Sequence, residues 1–232
     1  MKEIEDRGQL KAYMQTHQLD NVFTEPLIPH LTLLTFDQGE LICAQGEPSG
    51  VMYVLVKGKI KIYNTSEEGR TLVISFKTPL EVIGDVEYIR GSDIINTVEA
   101  VSPVHMIAVE YRWLRKYCGD HSPLLRFLLD IITNKFYMKS SSLSFNLLYP
   151  VEVRLASYLL SVSFDESGSG YRRELSTADL TDAANLIGTS YRHLNRVLQK
   201  FAARGLIERS RKGILVKDRE GLQKLTHRNI YE

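Results

Sequence analysis

From Phe36 to about Val109 the apolar positions fall in short runs cut by glycine and proline. These are Val51-Met52-Tyr53-Val54-Leu55-Val56, the alternating Ile60-Lys61-Ile62, Leu72-Val73-Ile74-Ser75-Phe76, then Val98, Val101 and Val104-His105-Met106-Ile107-Ala108-Val109. Short strands between turn residues every ~8–12 positions predict an all-β sandwich or barrel-like roll. Gly39, Gly46, Gly58 and Gly84 lie between the runs, where a turn can demand positive φ. A short helical stretch precedes them.

From Tyr111 the period becomes helical, with Pro123 after Ser122 in what should be a first turn. Leu125, Leu128, Ile132, Phe136, Leu143 and Leu147 recur at steps of mainly three, four or seven, and a second apolar line, Leu124, Leu129 and Ile131, runs beside them. Such a helix, roughly 24 residues and ~36 Å long, exceeds what one small domain requires. Two readings fit its broad apolar face: a core helix, or one that packs on the roll with one stripe and on a second subunit with the other. Pro150 opens another helix, Val151 to about Phe164, which Gly168-Ser169-Gly170 interrupts. There is no internal repeat or low-complexity tract. The expected fold is therefore α+β: an N-terminal helix and cupin-like β-roll over 1–121, a long helix and hinge over 122–149, and a second domain over 150–232.

Composition places limits on this picture. With 232 residues, 44% hydrophobic and 25% charged, the chain has enough apolar surface to fold rather than stay disordered. No apolar run reaches the ~18–20 residues that span a bilayer, so no membrane partner is expected. The stretch Met1 to Arg7 is charged with no hydrophobic segment behind it, unlike a signal peptide, and a cytoplasmic location is expected. Cys43 and Cys118 can build neither a disulfide framework nor, within one chain, a four-thiolate cluster; a redox role for either stays open.

Charge becomes informative once it is divided. Residues 1–149 carry 15 Lys/Arg against 18 Asp/Glu, and residues 150–232 carry 14 against 10. Within 188–217 the ratio is eight basic (Arg192, Arg196, Lys200, Arg204, Arg209, Arg211, Lys212, Lys217) to one acidic (Glu208). That is either a solvated face or a nucleic-acid footprint.

The motif inside this stretch separates the two. A helix-turn-helix needs a small residue where its helices cross, a glycine about four positions later, and buried apolar residues at fixed offsets. Ala184 and Gly188 supply the first two, Ala183, Ile187, Leu194 and Val197 the offsets, and Ser190 or Thr189 a cap for the second helix. If Leu194, Val197, Leu198 and Phe201 face inward, then Tyr191, Arg192, Asn195, Arg196 and Gln199 face outward. Arginine suits guanine, and asparagine or glutamine suits adenine. The stretch from Gly205 to Val216 reads as two strands around a basic turn, which makes a winged helix-turn-helix. The expected DNA contacts are Thr177, Thr189, Ser190, Tyr191, Arg192, Asn195, Arg196, Gln199, Arg211 and Lys212.

Over nearly its whole length the chain resembles the family of the cyclic-AMP receptor protein and the fumarate–nitrate reduction regulator. Phe36-Asp37-Gln38-Gly39, Ile42, Gln45-Gly46-Glu47, Tyr53-Val54, Gly58-Lys59-Ile60-Lys61-Ile62 and Val82-Ile83-Gly84-Asp85 look like its effector-binding roll. Leu186-Ile187-Gly188-Thr189-Ser190 and Gly205-Leu206-Ile207 match its DNA-binding domain, and Ser190-Tyr191-Arg192-His193-Leu194 looks most like the branch typified by the regulator YeiL. The resemblance implies a homodimer joined through Leu125, Leu128, Ile132, Phe136 and Leu143. It also implies an unidentified small-molecule or redox effector sensed in the roll, a two-fold symmetric double-stranded operator, and RNA polymerase as a further partner. Pocket residues would be Ile83, Gly84, Asp85, Ile94, Ile95, Asn96 and Thr97.

Departures from the family pattern matter as much. The cyclic-AMP receptors hold the nucleotide phosphate with an Arg-Ser pair; counting back from Val98 and Ala100 puts Ile94 and Ile95 there, with Arg90 displaced into the loop. A phosphate against two isoleucines lacks its charge partner, so cyclic AMP is not the expected effector. The cysteine cluster of the oxygen sensors has no counterpart in residues 1–35, and no spacing of His30, His105 or Cys43 supports haem. No cofactor is expected. The six histidines (His17, His30, His105, His121, His193, His227) contain no His-x-His pair for a cupin metal, and no nucleophile elbow or P-loop occurs, so no metal site and no enzyme are expected. Two alternatives remain: an effector-independent DNA-binding protein with a vestigial roll, and a cupin-like small-molecule-binding protein.

Overall fold

The structure is a computed structural model that describes residues 1–69, 71–162, 177–210 and 213–226. In chain order the first unit contains β1 (Lys2–Glu3), α1 (Arg7–Thr16), two short 3-10 turns, β2 (Thr32–Phe36), β3 (Leu41–Cys43), β4 (Val51–Lys57), β5 (Ile60–Thr65), β6 (Thr71–Lys77), β7 (Glu81–Ile83), α2 (Asp85–Arg90), β8 (Thr97–Ala100), β9 (Val104–Glu110) and α3 (Tyr111–Cys118). The long α4 (Ser122–Leu148) follows, then α5 (Val151–Val162), α6 (Thr177–Leu186), α7 (Tyr191–Ala203), β10 (Ile207–Arg209), β11 (Ile214–Val216) and α8 (Arg219–Leu225). Two compact units divide the chain within α4, at Phe136/Tyr137. The expected interruption at 168–170 lies outside the described residues.

In the first unit, antiparallel sheets β1-β2-β9-β4-β7 and β3-β8-β5-β6 form the roll. The central strands β4 and β9 pair in register Val54↔Ile107 and are apolar on both faces because both faces are covered. Met52, Val54, Val56, Ile107 and Val109 pack with α1, α3 and the start of α4, whereas Leu55, Val104 and Met106 pack with Ile60, Ile62 and Val98 of the second sheet. Strands β1 and β2 precede the β pattern read from sequence, and the short β3 and β7 have no apolar run to announce them.

The long helix is present, with 27 residues and Pro123 in its first turn. Its apolar lines are divided differently from the expectation at one pair. Leu124 and Leu128 are buried at 0% and 2% exposure in the core of the roll, while Leu125 and Leu129 are 43% and 64% exposed. Leu128, expected on the subunit face, is thus a core residue, and Leu129 is exposed instead. The period explains this: Leu128 follows Leu124 by one turn, and Leu129 follows Leu125. Phe136 is 74% exposed and Ile132 half-buried; further along, in the second unit, Leu143 and Leu147 are also exposed.

The second unit packs α5, α6, α7, the β10–β11 hairpin and α8 around Leu155, Leu159, Leu180, Val197, Leu198, Phe201, Ile207, Ile214 and Leu222. Among the described residues, no helix is long and apolar enough to cross a membrane.

Candidate nucleic-acid interface

The turn between α6 and α7 follows from Gly188. Its φ of +66° is the left-handed conformation that glycine adopts without strain, and it lets Thr189 N–H reach the Ala184 carbonyl at 2.9 Å and Gly188 N–H the Asn185 carbonyl at 3.4 Å. These are the two bonds of a Schellman C-cap, so α6 stops here and the chain turns. Ala183, Ala184, Ile187, Leu194 and Val197 are all at most 1% exposed, as the helix-turn-helix spacing requires. From beneath, Arg154 on α5 donates through Nη1 to the Ile187 carbonyl, and its Nε has no partner among the described residues. Ser190, the one of the two expected caps that acts, accepts through Oγ from His193 N–H at 3.2 Å.

On α7, Leu194, Val197, Leu198 and Phe201 are buried. The opposite face carries Tyr191, Arg192, Asn195, Arg196 and Gln199, which with Ser190 and His193 line an open depression of about 840 Å³. The side chains of Tyr191, Arg192, Arg196 and Gln199 have no hydrogen bond or ion pair among the described residues. Not all of the basic stretch is so free. Lys200 pairs with Glu152 at 2.7 Å, Lys217 with Glu208 at 2.5 Å, and Arg209 donates to Asn195 Oδ1 at 3.0 Å. The Lys200 ammonium holds the Glu152 carboxyl below the ordinary carboxylate range, with Arg204 and His193 acting in the same direction. Strands β10 and β11 pair antiparallel as the expected wing, Arg209↔Ile214. Thr189 is half-buried at the turn; the side chain of Thr177 and all of Arg211 and Lys212 lie outside the described residues.

The seven residues expected around an effector occupy several different settings. Ile83 is in the core between the sheets. Gly84 (φ +87°) has no room for a side chain, since a Cβ there would meet the Val51 carbonyl and the Tyr111 hydroxyl. Asp85 is buried and turned to α4, where Lys135 Nζ donates to both its carboxylate oxygens at 2.9 Å, to the Val82 carbonyl at 2.6 Å, and lies 3.1 Å from Glu81. Ile94 is tied through its backbone to Gly46 and Glu47, and Ile95 N–H donates to Glu87 Oε1 at 3.0 Å. The Asn96 carbonyl accepts weakly from Cys43 Sγ, and Thr97 Oγ1 accepts from Gln45 N–H at 3.1 Å. Arg90, expected in the loop, is the exposed last residue of α2.

Sequence reasoning did not find Glu87, a residue only 7% exposed, or Lys135. It also missed a depression of about 370 Å³ in the first unit, lined by Pro48, Ser49, Gly50, Glu87, Gly91, Ser92, Asp93, Glu110, Tyr111, Arg112 and Arg115. These come from segments far apart in the chain, so no local motif signals them. Burial, followed by the nearby Glu87 carboxylate, pushes the Cys43 thiol up to about 12, which leaves it protonated and a poor nucleophile at neutral pH. Cys118 is buried with its Sγ 3.2 Å from Thr24 Oγ1. Among the described residues no three His, Cys, Asp or Glu side chains are grouped as a metal site would require.

Comparison with known proteins agrees with this geometry. Residues 33–121 match the cyclic nucleotide-binding domain family, and residues 153–225 the Crp-like helix-turn-helix domain family. The regulatory protein YeiL of Escherichia coli O157:H7 is 30% identical over 193 residues, 83% of this chain and 84% of that one. A CRP-like cAMP-activated global transcriptional regulator of Mycobacterium tuberculosis (strain H37Rv) is 26% identical over 200 residues, 84% of this chain and 88% of its own. Among solved structures, the c-di-GMP responsive global regulator CLP of Xanthomonas campestris superposes with a TM-score of 0.72 at 17% identity, covering 83% of this chain and 96% of that one. The chain belongs to the Crp/Fnr family of transcriptional regulators, with an effector-binding type of domain ahead of a DNA-binding helix-turn-helix.

Proposed function

We propose that the protein acts in the cytoplasm as a homodimer on a two-fold symmetric operator, with α7 as the base-reading helix, Arg211 and Lys212 of the wing on phosphates, and the first unit as sensor. The observation that carries this reading is the outward face of α7, where two arginines, a tyrosine and a glutamine have no partner within the described residues. The exposed row Leu125, Leu129 and Phe136 in the first unit supports a second copy as the occupant of that part of α4, because a like helix buries such a row symmetrically. An effector that prefers one dimer arrangement would reset the spacing of two recognition helices, which must sit ~34 Å apart to enter successive major grooves. RNA polymerase is the further partner that transcription control requires. No cofactor, metal or catalytic activity is part of this reading.

Cyclic AMP is not the proposed effector, although one relative is named for it. Ile95 N–H, a donor a phosphate would need, is engaged by Glu87, whose own negative charge repels an anion. Calorimetric titration with cyclic AMP should show no binding; micromolar affinity would overturn this exclusion. The DNA reading is tested by binding to random and operator-selected duplexes across a salt series. Affinity should fall steeply with salt on both, by a slope of about −0.9 per phosphate neutralised, with a tighter specific set. Binding that ignores both salt and sequence would overturn it, and a monomer in sedimentation would overturn the dimer.

A further inference from the structure

We infer that Arg209 is a specificity-determining positioning residue: from the wing it fixes the Asn195 amide, so that the recognition helix presents an NH2 donor to the DNA at that position. This rests on the reading of α7 as the base-reading helix. Asn195 shares the outward face with Arg192 and Gln199, at offsets of three and four, and Arg196 lines the same depression. Its Oδ1 accepts from Arg209 Nη2 at 3.0 Å. A guanidinium has donors only, so the amide atom that faces it must be the oxygen, and the orientation of the amide follows from chemistry alone.

The anchor is itself held. Arg209 ends β10 opposite Ile214 of β11, and the adjoining turn is closed by Ser210 N–H to the Gly213 carbonyl at 2.8 Å and Gly213 N–H to Ser210 Oγ at 3.2 Å. A freely turning asparagine would offer both amide atoms to adenine N6 and N7. With its oxygen turned to the wing, it offers the NH2, which suits the acceptors guanine O6/N7 and thymine O4, meets N7 but also the N6 donor of adenine, and clashes with the N4 donor of cytosine. In water this exposed bond is weak, but DNA laid over the face would exclude water and strengthen it.

The test is selection of a random duplex DNA library by the purified full-length protein, with bound DNA sequenced for wild type, Asn195→Ala, Arg209→Ala and the double variant. Asn195→Ala locates the base pair read by Asn195. At that pair wild type should favour guanine or thymine over cytosine about five- to tenfold. Arg209→Ala should shift that pair alone toward adenine, and the double variant should match Asn195→Ala there. Asn195→Asp, which keeps the Arg209 contact and removes the NH2, should turn the preference toward cytosine. If Arg209→Ala weakened every sequence alike with a shallower salt slope, Arg209 would be a phosphate contact and the inference overturned; an unchanged preference would overturn it equally. A wild-type chain that enriches nothing would overturn the DNA reading itself, and this inference with it.

Discussion

The roll and the outward face of the recognition helix α7 treat most of their polar side chains in opposite ways. In the roll, the residues around the glycine–acid step are engaged with the protein itself: Asp85 and Glu81 with Lys135, Glu87 with Ile95 N–H, Thr97 with Gln45 N–H, and Gln45 Oε1 with Thr65 N–H. On α7, Arg192, Arg196 and Gln199 have no partner within the described residues. A buried polar group without a hydrogen bond is costly, so engaged groups report structure. Groups left open on one rigid face report a partner still to come. The roll is therefore built around its own contacts, and the second unit keeps one face open, as a DNA-binding helix-turn-helix requires.

The largest effects should come from breaking the roll's internal contacts. Leu128→Asp places a carboxylate in the core at a cost of several kcal/mol and should unfold the first unit. Leu129→Asp, one residue on and exposed, should leave the melting transition nearly intact and abolish the proposed dimer. Sedimentation and thermal melting on both variants separate the two faces of α4. If both variants melted alike, the division of that helix would be wrong.

Next in size is Lys135→Met. Lys135 joins α4 to Asp85 and Glu81, whose side chains are 3% and 6% exposed. Removing the cation leaves the buried Asp85 carboxylate without it, while Glu81 keeps its ion pair with Lys77, and should cost about 3–5 kcal/mol in chemical denaturation. A loss near zero would mean that the ion pairs are solvated and do not fasten the helix to the roll.

How much of this was legible in the sequence depends on how local each feature is. The helix-turn-helix was readable residue by residue, because Ala184, Gly188, Ser190 and the buried offsets all fall within one short stretch whose spacing is dictated by helix geometry. The wing followed from two short apolar runs around a turn. The Lys135 network was not readable, since its partners lie 50 and more residues away and a lysine on a helix normally reads as solvated. Leu128 and Leu129 were exchanged because α4 is apolar over a broad face, and only packing decides which stripe meets the roll. Strands β3 and β7 were hidden by their shortness, three residues each.

On the DNA side the expected losses are smaller. Arg196→Ala should weaken specific binding by about 1–3 kcal/mol and relax preference at one symmetric pair of positions. Lys212→Ala should weaken all sequences alike and flatten the salt dependence by about one unit of slope per contact. Equal losses from Arg196→Ala on operator and random DNA would make Arg196 a phosphate contact. Ser190→Ala removes the cap of α7 and should cost about 1 kcal/mol of stability.

The smallest expected effect separates the two units by pH. In the roll, His105 Nδ1 lies 2.9 Å from the Tyr13 hydroxyl, and burial, then the charge of Lys57, lowers its pKa below the ordinary 6.5. The unfolded imidazole takes up a proton at a pH where the folded one does not. Its contribution to stability is therefore complete above about 6.5 and is lost as pH falls through the lower folded value. In the second unit, Lys200 lowers the Glu152 pKa from 4.5, so that pair's contribution is complete above 4.5 and is lost only at more acid pH. Both groups are only partly buried, so each effect is small and weakens with salt. Melting followed from pH 7.5 to 5 should thus show the roll losing stability first, with the helix-turn-helix unit unchanged over that range. His105→Gln should remove that part of the slope without altering the acid limb below pH 4.5. A slope that survived the substitution would move the titrating group elsewhere in the roll.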